Sequence, residues 1–155
     1  MMLISYLADY PELIPALAPG IVEHWRPVLP EETITRRVDK LRKHMNRDTL
    51  PIAWVAHDHG EVLGTAALRI HDLEGREDLT PWLGGVFVLP AYRCRGIASA
   101  LCGVVEQKAW SLGFDELYLF TPDQQALYAR LGWHTLQRAV WRGIESDIMF
   151  KRKSA

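Results

Sequence analysis

The chain has 155 residues, and its 48% apolar and 24% charged residues are ordinary proportions for a soluble globular protein. This length suits one domain with its own core, so we expect residues 1–155 to form a single domain that folds without a disulfide or a metal. The net charge of −1 gives no reason to expect nucleic-acid binding, and no apolar run is long enough to span a membrane.

The first part of the chain predicts a strand followed by helices. Residues 3–7 are an apolar run typical of a short strand. Residues 11–27 have helical apolar spacing but contain Pro15, Pro19 and Gly20, so they predict one broken helix or two short ones. Residues 30–45 predict a longer helix that opens at a proline, with acidic residues in its first turn and basic residues in its last.

A β-hairpin follows. Residues 51–57 and 61–70 are apolar segments separated by Asp58, His59 and Gly60, which is typical of two antiparallel strands and their turn. Residues 71–81 then form a polar loop.

The last part of the chain alternates strands and helices. A strand over 82–88, a helix over 96–112 and a strand over 116–121 form a βαβ unit, so these two strands should be parallel neighbours. A short helix over 123–131 and two final strands complete the order. The prediction is a mixed sheet covered by helices, of the α/β class (α+β in some schemes), with antiparallel hairpins around a central βαβ unit.

The cysteines and the first residues indicate a compartment. Cys94 and Cys102 lie around a predicted helix start, which is a poor arrangement for a disulfide, so we expect a reducing environment. The first residues have no basic segment followed by a sustained apolar run, so we expect no signal peptide and a cytoplasmic protein.

Several common functional motifs are missing from the sequence. It has no phosphate-binding G-x-x-x-x-G-K-[ST], no dinucleotide-binding G-x-G-x-x-G, no zinc-binding H-E-x-x-H and no G-x-S-x-G. His57 and His59 flank a turn without a third ligand, so we expect no metal site.

The segment from Val88 to Leu101 is the most informative stretch. A strand ends at a proline, a short loop with Arg93, Arg95 and Gly96 follows, and an amphipathic helix begins at once. The first turn of a helix has free backbone N–H groups, and a glycine lets a phosphate approach them closely. The segment therefore favours an anion site, although a plain strand–helix corner with solvated arginines would have the same pattern.

Three motifs in this order resemble the GNAT acetyltransferases. Residues 93–98 (R-C-R-G-I-A), after V-F-V-L-P-A-Y, are similar to the family's Arg/Gln-x-x-Gly-x-Gly/Ala signature. Residues 127–133 (L-Y-A-R-L-G-W) resemble its tyrosine followed by Leu-Gly-aromatic, and residues 147–152 resemble its closing strand. The resemblance implies a mixed, mostly antiparallel sheet of about six or seven strands with about four helices.

The resemblance also implies acetyl-CoA as the acetyl donor, and it assigns residues to the donor site. Tyr128 corresponds to the tyrosine that protonates the leaving thiolate, and a neutral phenol is chemically suited to that role. A half-buried core aromatic is the alternative interpretation of Tyr128. The implied donor-binding residues are Val86, Phe87, Val88, Arg93, Cys94, Arg95, Gly96, Ile97, Ala98, Ser99 and Thr121.

Two positions depart from the family pattern. Many members have an acidic residue on the donor-binding strand that helps to deprotonate the amine, and here that position is Gly84. Thr121 stands where an asparagine often contacts pantetheine. The base must therefore come from a water chain or from another residue, for which the candidates are Glu23, His24, His71, Asp72 and His134.

The acceptor is the least determined part. We expect a primary amine of a small molecule or peptide, with no nucleic-acid or membrane partner, and a monomer or homodimer. The 71–81 loop has four carboxylates against one arginine, which could steer a cationic acceptor or could be ordinary solvated surface. Because Gly84 replaces an acid, a non-catalytic acyl-CoA-binding sensor or an interaction module on the same fold is the alternative function. An unrelated phosphate-binding α/β domain is a third possibility.

Overall fold

The computed structural model describes residues 1–154 as a seven-stranded sheet with four α-helices. The strands pair in the order β1-β2-β3-β4-β5-β7-β6, and β4–β5 is the parallel pair. In chain order the elements are β1 (Leu3–Tyr6), α1 (Ile14–Trp25), α2 (Ile34–Arg42), β2 (Ile52–Asp58), β3 (Glu61–Arg69), β4 (Trp82–Val88), α3 (Ile97–Ser111), β5 (Glu116–Thr121), α4 (Gln125–Arg130), β6 (His134–Trp141) and β7 (Ile144–Arg152). The predicted fold class and βαβ unit are confirmed.

The β2–β3 hairpin has the predicted turn. His59 and Gly60 both have positive φ angles, 50° and 82°, which is the backbone geometry that a two-residue hairpin turn requires. Asp58 pairs with Glu61 across the turn.

The two N-terminal helices differ from the prediction. Residues Pro11–Leu13 form a 3₁₀ turn, and α1 then runs through Pro19 without a break. The helix predicted from Pro30 begins only at Ile34, because the Thr33 side chain accepts a hydrogen bond from the Arg36 N–H at 3.1 Å and caps the helix there. The acidic pair at 31–32 therefore precedes α2.

Alternating strand residues build separate cores on the two faces of the sheet. In β2, Ile52, Trp54 and Ala56 pack on the face covered by α3, whereas Ala53 and Val55 pack on the face covered by α1 and α2. The two faces thus carry different helices. Within residues 1–154, no helix is both long enough and apolar enough to cross a membrane.

The sheet is disrupted where β4 lies between β3 and β5. Ala67 pairs with Gly84 and Thr65 pairs with Phe87, so β4 has one extra residue between these pairs, which is a β-bulge. On its other side β4 pairs with β5 at one position, Trp82 with Tyr118. Beyond that pair the two strands separate toward their carboxyl ends and open a cleft in the sheet.

Candidate active site

A cavity of about 270 Å³ occupies this cleft. Its walls are formed by the bulge of β4, by the end of β5 and by α4, and it continues to α1 and α2. Leu83, Leu119 and Tyr128 belong to the α3 face of the sheet, whereas Leu41 and Ala67 belong to the α1–α2 face. The cavity therefore connects the two faces.

The predicted anion loop lies at the edge of this cleft, directly after β4. Cys94 and Gly96 have left-handed φ angles of 63° and 77°, so the chain arches before α3 begins at Ile97. No side chain caps this helix start, and a Cβ atom at Gly96 would meet no atom within 4 Å. The loop backbone is therefore open to an approaching group, as the sequence predicts.

The two loop arginines have different contacts. Arg93 donates from Nε to the Val88 carbonyl at 3.0 Å, and its guanidinium lies 5.9 Å from the Phe87 ring centre. The Arg95 guanidinium lies 5.7 Å from the Tyr92 ring centre. Both residues are exposed, so both side chains can reorient toward an anion at the helix start.

The two Cys side chains are free: Cys94 is exposed in the loop, and Cys102 is a buried residue of α3.

Tyr128 is buried at the inner end of the cleft. It is 7% exposed, packs edge-on against Trp133 and lines the cavity. Burial raises the pKa of its hydroxyl above the ordinary value of 10, and Cys102 and Asp123 act in the same direction. Tyr128 therefore remains protonated at neutral pH and can act as a proton donor.

Thr121 also lines the cavity but is already engaged. Its Oγ1 accepts a hydrogen bond from the Gln124 N–H at 3.0 Å, at the start of the turn into α4. Its hydroxyl proton is still available for a second hydrogen bond.

A carboxylate occupies the space beside Gly84, where many GNAT proteins have an acidic side chain. A Cβ atom built on Gly84 would lie 2.7 Å from Asp72 Oδ2 and 2.9 Å from Arg69 Nη1. Asp72 accepts a hydrogen bond from Arg69 at 2.8 Å, and both side chains are about 15% exposed. The loop after β3 therefore delivers a carboxylate to the position that β4 leaves empty.

Two of the five candidate bases, His24 and Asp72, line the cavity. The ring of His24 lies 5.4 Å from the Phe87 ring. Partial burial, followed by the charge of Arg93, lowers the pKa of His24 below 6.5, so His24 is neutral at pH 7. Glu23, His71 and His134 are exposed and do not line the cavity.

The expectation of a cation-steering loop at 71–81 stays a prediction. Asp72 is paired with Arg69, and it is the one acidic residue of this loop that lines the cavity. Asp78 is paired with Arg76, and Glu77 accepts a hydrogen bond from the Gly75 N–H. Two of the four loop carboxylates therefore have an arginine partner, which a count of charges in the sequence does not reveal.

Four basic residues that line the cavity were missed by the sequence analysis: Arg37, Lys40, His44 and Arg69. The charges of α2 looked like a solvated helix face. The available signal was that Arg37 is one helical turn from the buried Leu41, so it lies on the apolar face of its helix.

His44 connects Lys40 and Arg69 through two hydrogen bonds. Its Nδ1–H donates to the Lys40 carbonyl at 2.7 Å, and its Nε2 accepts from Arg69 Nε at 3.0 Å. This pattern requires a neutral ring. Burial and the Arg69 charge lower the pKa of His44 to about 4, whereas the Lys40 carbonyl opposes this effect.

Comparison with known proteins agrees with this architecture. Residues 18–133 match the model of the acetyltransferase (GNAT) family. With this match over most of its length, and with a sheet split beside an anion loop, the chain belongs to the GNAT acetyltransferase family.

A curated relative is an uncharacterized N-acetyltransferase, YjgM, of Escherichia coli K12, which is 33% identical over 91 residues. The match covers 56% of this chain and 53% of that protein, so the chain matches about half the length of this relative.

Two solved structures have the same fold. An aminoglycoside 6'-N-acetyltransferase complexed with coenzyme A has a TM-score of 0.72 and 20% identity, covering 97% of this chain and 96% of that one. The yncA protein of Salmonella typhimurium with acetyl-CoA has a TM-score of 0.73 and 19% identity, covering 97% and 93%.

The neutral His44 predicts an acid-sensitive stability. The pKa of His44 is 6.5 in the unfolded chain and about 4 in the folded protein. Neutral His44 therefore contributes fully to the free energy of unfolding above pH 6.5, and this contribution is lost as the pH falls from 6.5 to 4. We expect the wild type to lose about 1–2 kcal/mol more unfolding free energy than His44→Gln between pH 7 and pH 5. Urea denaturation at both pH values measures this difference. The exposed-site variant His71→Gln serves as the control, and an equal loss in wild type and His44→Gln contradicts the assignment.

Proposed function

We propose that the protein is an N-acetyltransferase that moves the acetyl group of acetyl-CoA to a primary amine by direct attack. The observation that carries this proposal is the cavity that passes through the split sheet, because it lets a donor on the α3 side meet an acceptor on the α1–α2 side. Tyr128 and Asp72 line the same cavity and supply an acid and a base.

The residues present fit acetyl-CoA. The uncapped start of α3, the open space at Gly96 and the two exposed arginines suit a pyrophosphate, since free N–H groups and guanidinium groups are typical phosphate ligands. Cys94, Ile97, Ala98 and Ser99 contribute the remaining backbone of this loop. Two structurally similar proteins were solved with coenzyme A or acetyl-CoA, which supports the same donor for this chain.

The bulge in β4 suits the pantetheine and thioester end of the donor. A bulge leaves a residue outside the regular ladder, so backbone groups near Val86 are free to hydrogen-bond into the cleft. Phe87 and Val88 continue the same strand toward the loop. Backbone N–H groups in this position can polarise the thioester carbonyl oxygen while the cleft excludes water.

The proton steps are assigned to two side chains. When bound, acetyl-CoA supplies an acetyl thioester in the cleft. As the C–N bond forms and the C–S bond breaks, Asp72 accepts the proton released by the amine nitrogen, and Tyr128 donates its phenolic proton to the sulfur. Arg69 holds the Asp72 carboxylate in place through the 2.8 Å hydrogen bond.

A non-catalytic acyl-CoA sensor is the second candidate function. Its support in the sequence is the absence of an acid at Gly84. Asp72 weakens that support, because its carboxylate lies in the space beside Gly84. Thiol release from acetyl-CoA with a panel of amines separates the two functions, because a sensor binds the donor without turnover.

The proposed donor site predicts an effect of a substitution in the loop before α3. Gly96→Leu should weaken acetyl-CoA binding more than tenfold in calorimetry, because its side chain fills the space through which a phosphate approaches the N–H groups. Gly143→Leu is a matched control, since Gly143 has a similar φ of 79° and also has open space around it, in the β6–β7 turn. Equal affinity of the folded Gly96 variant and wild type contradicts the proposed donor site.

The second prediction concerns the acid. Tyr128→Phe should lower kcat by about 10²–10⁴-fold, because a general acid acts on charge that develops beyond the ground state. The acetyl-CoA Kd should remain close to that of wild type, since the change removes one oxygen atom and preserves the packing against Trp133. Steady-state thiol release and calorimetry measure the two effects. Full activity of the Phe variant from pH 6 to 9 makes Tyr128 a core aromatic only.

The third prediction concerns the base. Asp72→Asn should lower kcat by about 10²–10⁴-fold at pH 7 without changing the acetyl-CoA Kd, because it removes the proton acceptor. The double variant Asp72→Ser with Gly84→Asp should recover part of the activity, since it moves the carboxylate onto β4 in nearly the same space. Asp78→Asn is the control. If His24→Asn instead removes the acidic limb of the pH–rate profile, His24 is the base.

A further inference from the structure

The α2 end of the cavity has an excess of positive charge. Arg37, Lys40 and Arg69 line it, and two carboxylates are paired with them: Glu32 with Arg37 at 2.7 Å and Asp72 with Arg69 at 2.8 Å. His44 is neutral. Within residues 1–154, no carboxylate oxygen lies within 4.0 Å of Lys40 Nζ. One positive charge is therefore left without a partner.

The Arg37 guanidinium, which belongs to a residue lining the cavity, also has an unused hydrogen-bond donor. The residue is 6% exposed, and its buried Nε makes no hydrogen bond to any of residues 1–154. A buried donor without a partner is costly, and such groups are rare in folded proteins. The Glu32 carboxylate engages Nη2 of the same guanidinium and leaves Nε free.

Lys40 lies one helical turn after Arg37, so both side chains are on the same face of α2. Lys40 is exposed at the rim of the cavity, yet partial desolvation, followed by the charges of Arg69 and Arg37, lowers the pKa of its ammonium to about 8. An anion bound between Lys40 and Arg37 would stabilise the charged ammonium and would add a second anion beside the Arg37 guanidinium, which Glu32 engages only through Nη2.

We propose that the acceptor carries a carboxylate in addition to its amine, and that Arg37 and Lys40 bind this carboxylate while the amine points toward Asp72. The substrate class is then an amino acid or a similar amino-carboxylic acid. This inference rests on the proposed acetyl transfer and specifies the acceptor of the same site.

The charge balance favours a carboxylate over a phosphate monoester. Three cations against two carboxylates leave one positive charge, which a single carboxylate neutralises, whereas a dianionic phosphate would leave an uncompensated negative charge in a partly desolvated site. An amine without an acidic group, such as a polyamine, would add positive charge beside Lys40 and Arg37 and is disfavoured for the same reason.

Matched acceptor pairs test the proposal. Thiol release from acetyl-CoA is measured with the twenty common α-amino acids and β-alanine, each beside its carboxamide, with phosphoethanolamine as the phosphate arm. We expect the best acid to have a kcat/KM at least tenfold above that of its amide. An amide or a simple alkylamine that matches the best acid overturns the proposal, and a preference for phosphoethanolamine overturns the choice of carboxylate.

Three lysine variants test the location of the carboxylate. Lys40→Met should raise the KM of the best acid by about ten- to hundredfold, because a hydrogen bond to a charged group is lost, while the KM of the matching amide and the acetyl-CoA Kd stay unchanged. Lys43→Met is the control, since Lys43 is exposed on the same helix end but does not line the cavity. Lys40→Arg should retain most of the preference for the acid. Equal effects of the two Met variants contradict the assignment.

A binding measurement separates this proposal from the proposed function. The N-acetyl derivatives of the same amino acids are titrated into the coenzyme A complex by calorimetry, each beside its carboxamide, so that the two compounds of a pair differ only in the carboxylate. The Arg37 Nε–H resonance is followed by NMR in the same titrations. If the acid binds saturably and its carboxamide does not, and if Lys40→Met weakens this binding, the carboxylate site is supported. This conclusion holds even if no amine is acetylated, since that result contradicts only the proposed transfer reaction. If both compounds bind equally or neither binds, the carboxylate proposal is overturned, whereas thiol release with other amines would still support acetyl transfer.

Discussion

The separation of β4 from β5 is the constraint on which the rest of the site depends. Two parallel strands that paired along their full length would close the sheet, and the backbone at Val86 would be used by the ladder. The strands instead pair at one position, and the extra residue in β4 bends it away. The cost is a loss of interstrand hydrogen bonds in the centre of the sheet. Buried packing on both sides offsets this loss, with Trp82 fully buried at the point where the strands diverge.

Local patterns were sufficient to predict most of the architecture. The β2–β3 turn, the strand that stops before Pro90 and the glycine before α3 each depend on residues close in sequence, and each lies where the pattern predicted it. The start of α2 was misplaced because Pro30 and the acids after it are a strong helix signal, whereas the observed boundary depends on one side-chain hydrogen bond from Thr33. The backbone geometry of the loop before α3 was likewise predictable, since strand, proline, glycine and helix are contiguous in the sequence.

The α2 end of the cavity could not be predicted in the same way, because it is assembled from distant segments. Asp72 lies beside Gly84 and is hydrogen-bonded to Arg69, and Arg69 in turn contacts His44, which is 25 residues away in sequence. A charge count over the 71–81 loop cannot distinguish a paired carboxylate from a free one. The resemblance to a family indicated that an acid was missing from β4, but it could not indicate which other segment supplies a carboxylate.

The separate cores on the two faces of the sheet have a consequence for how this protein can diversify. The proposed donor loop and Tyr128 belong with the core beneath α3, whereas Arg37 and Lys40 lie on a helix that packs against α1 on the opposite face. Substitutions on α2 can therefore reshape one half of the cavity while the packing that supports the other half is retained. A lineage that duplicates such a gene can explore new acceptors without first rebuilding the donor half, and laboratory evolution of specificity should begin with randomised positions on α2.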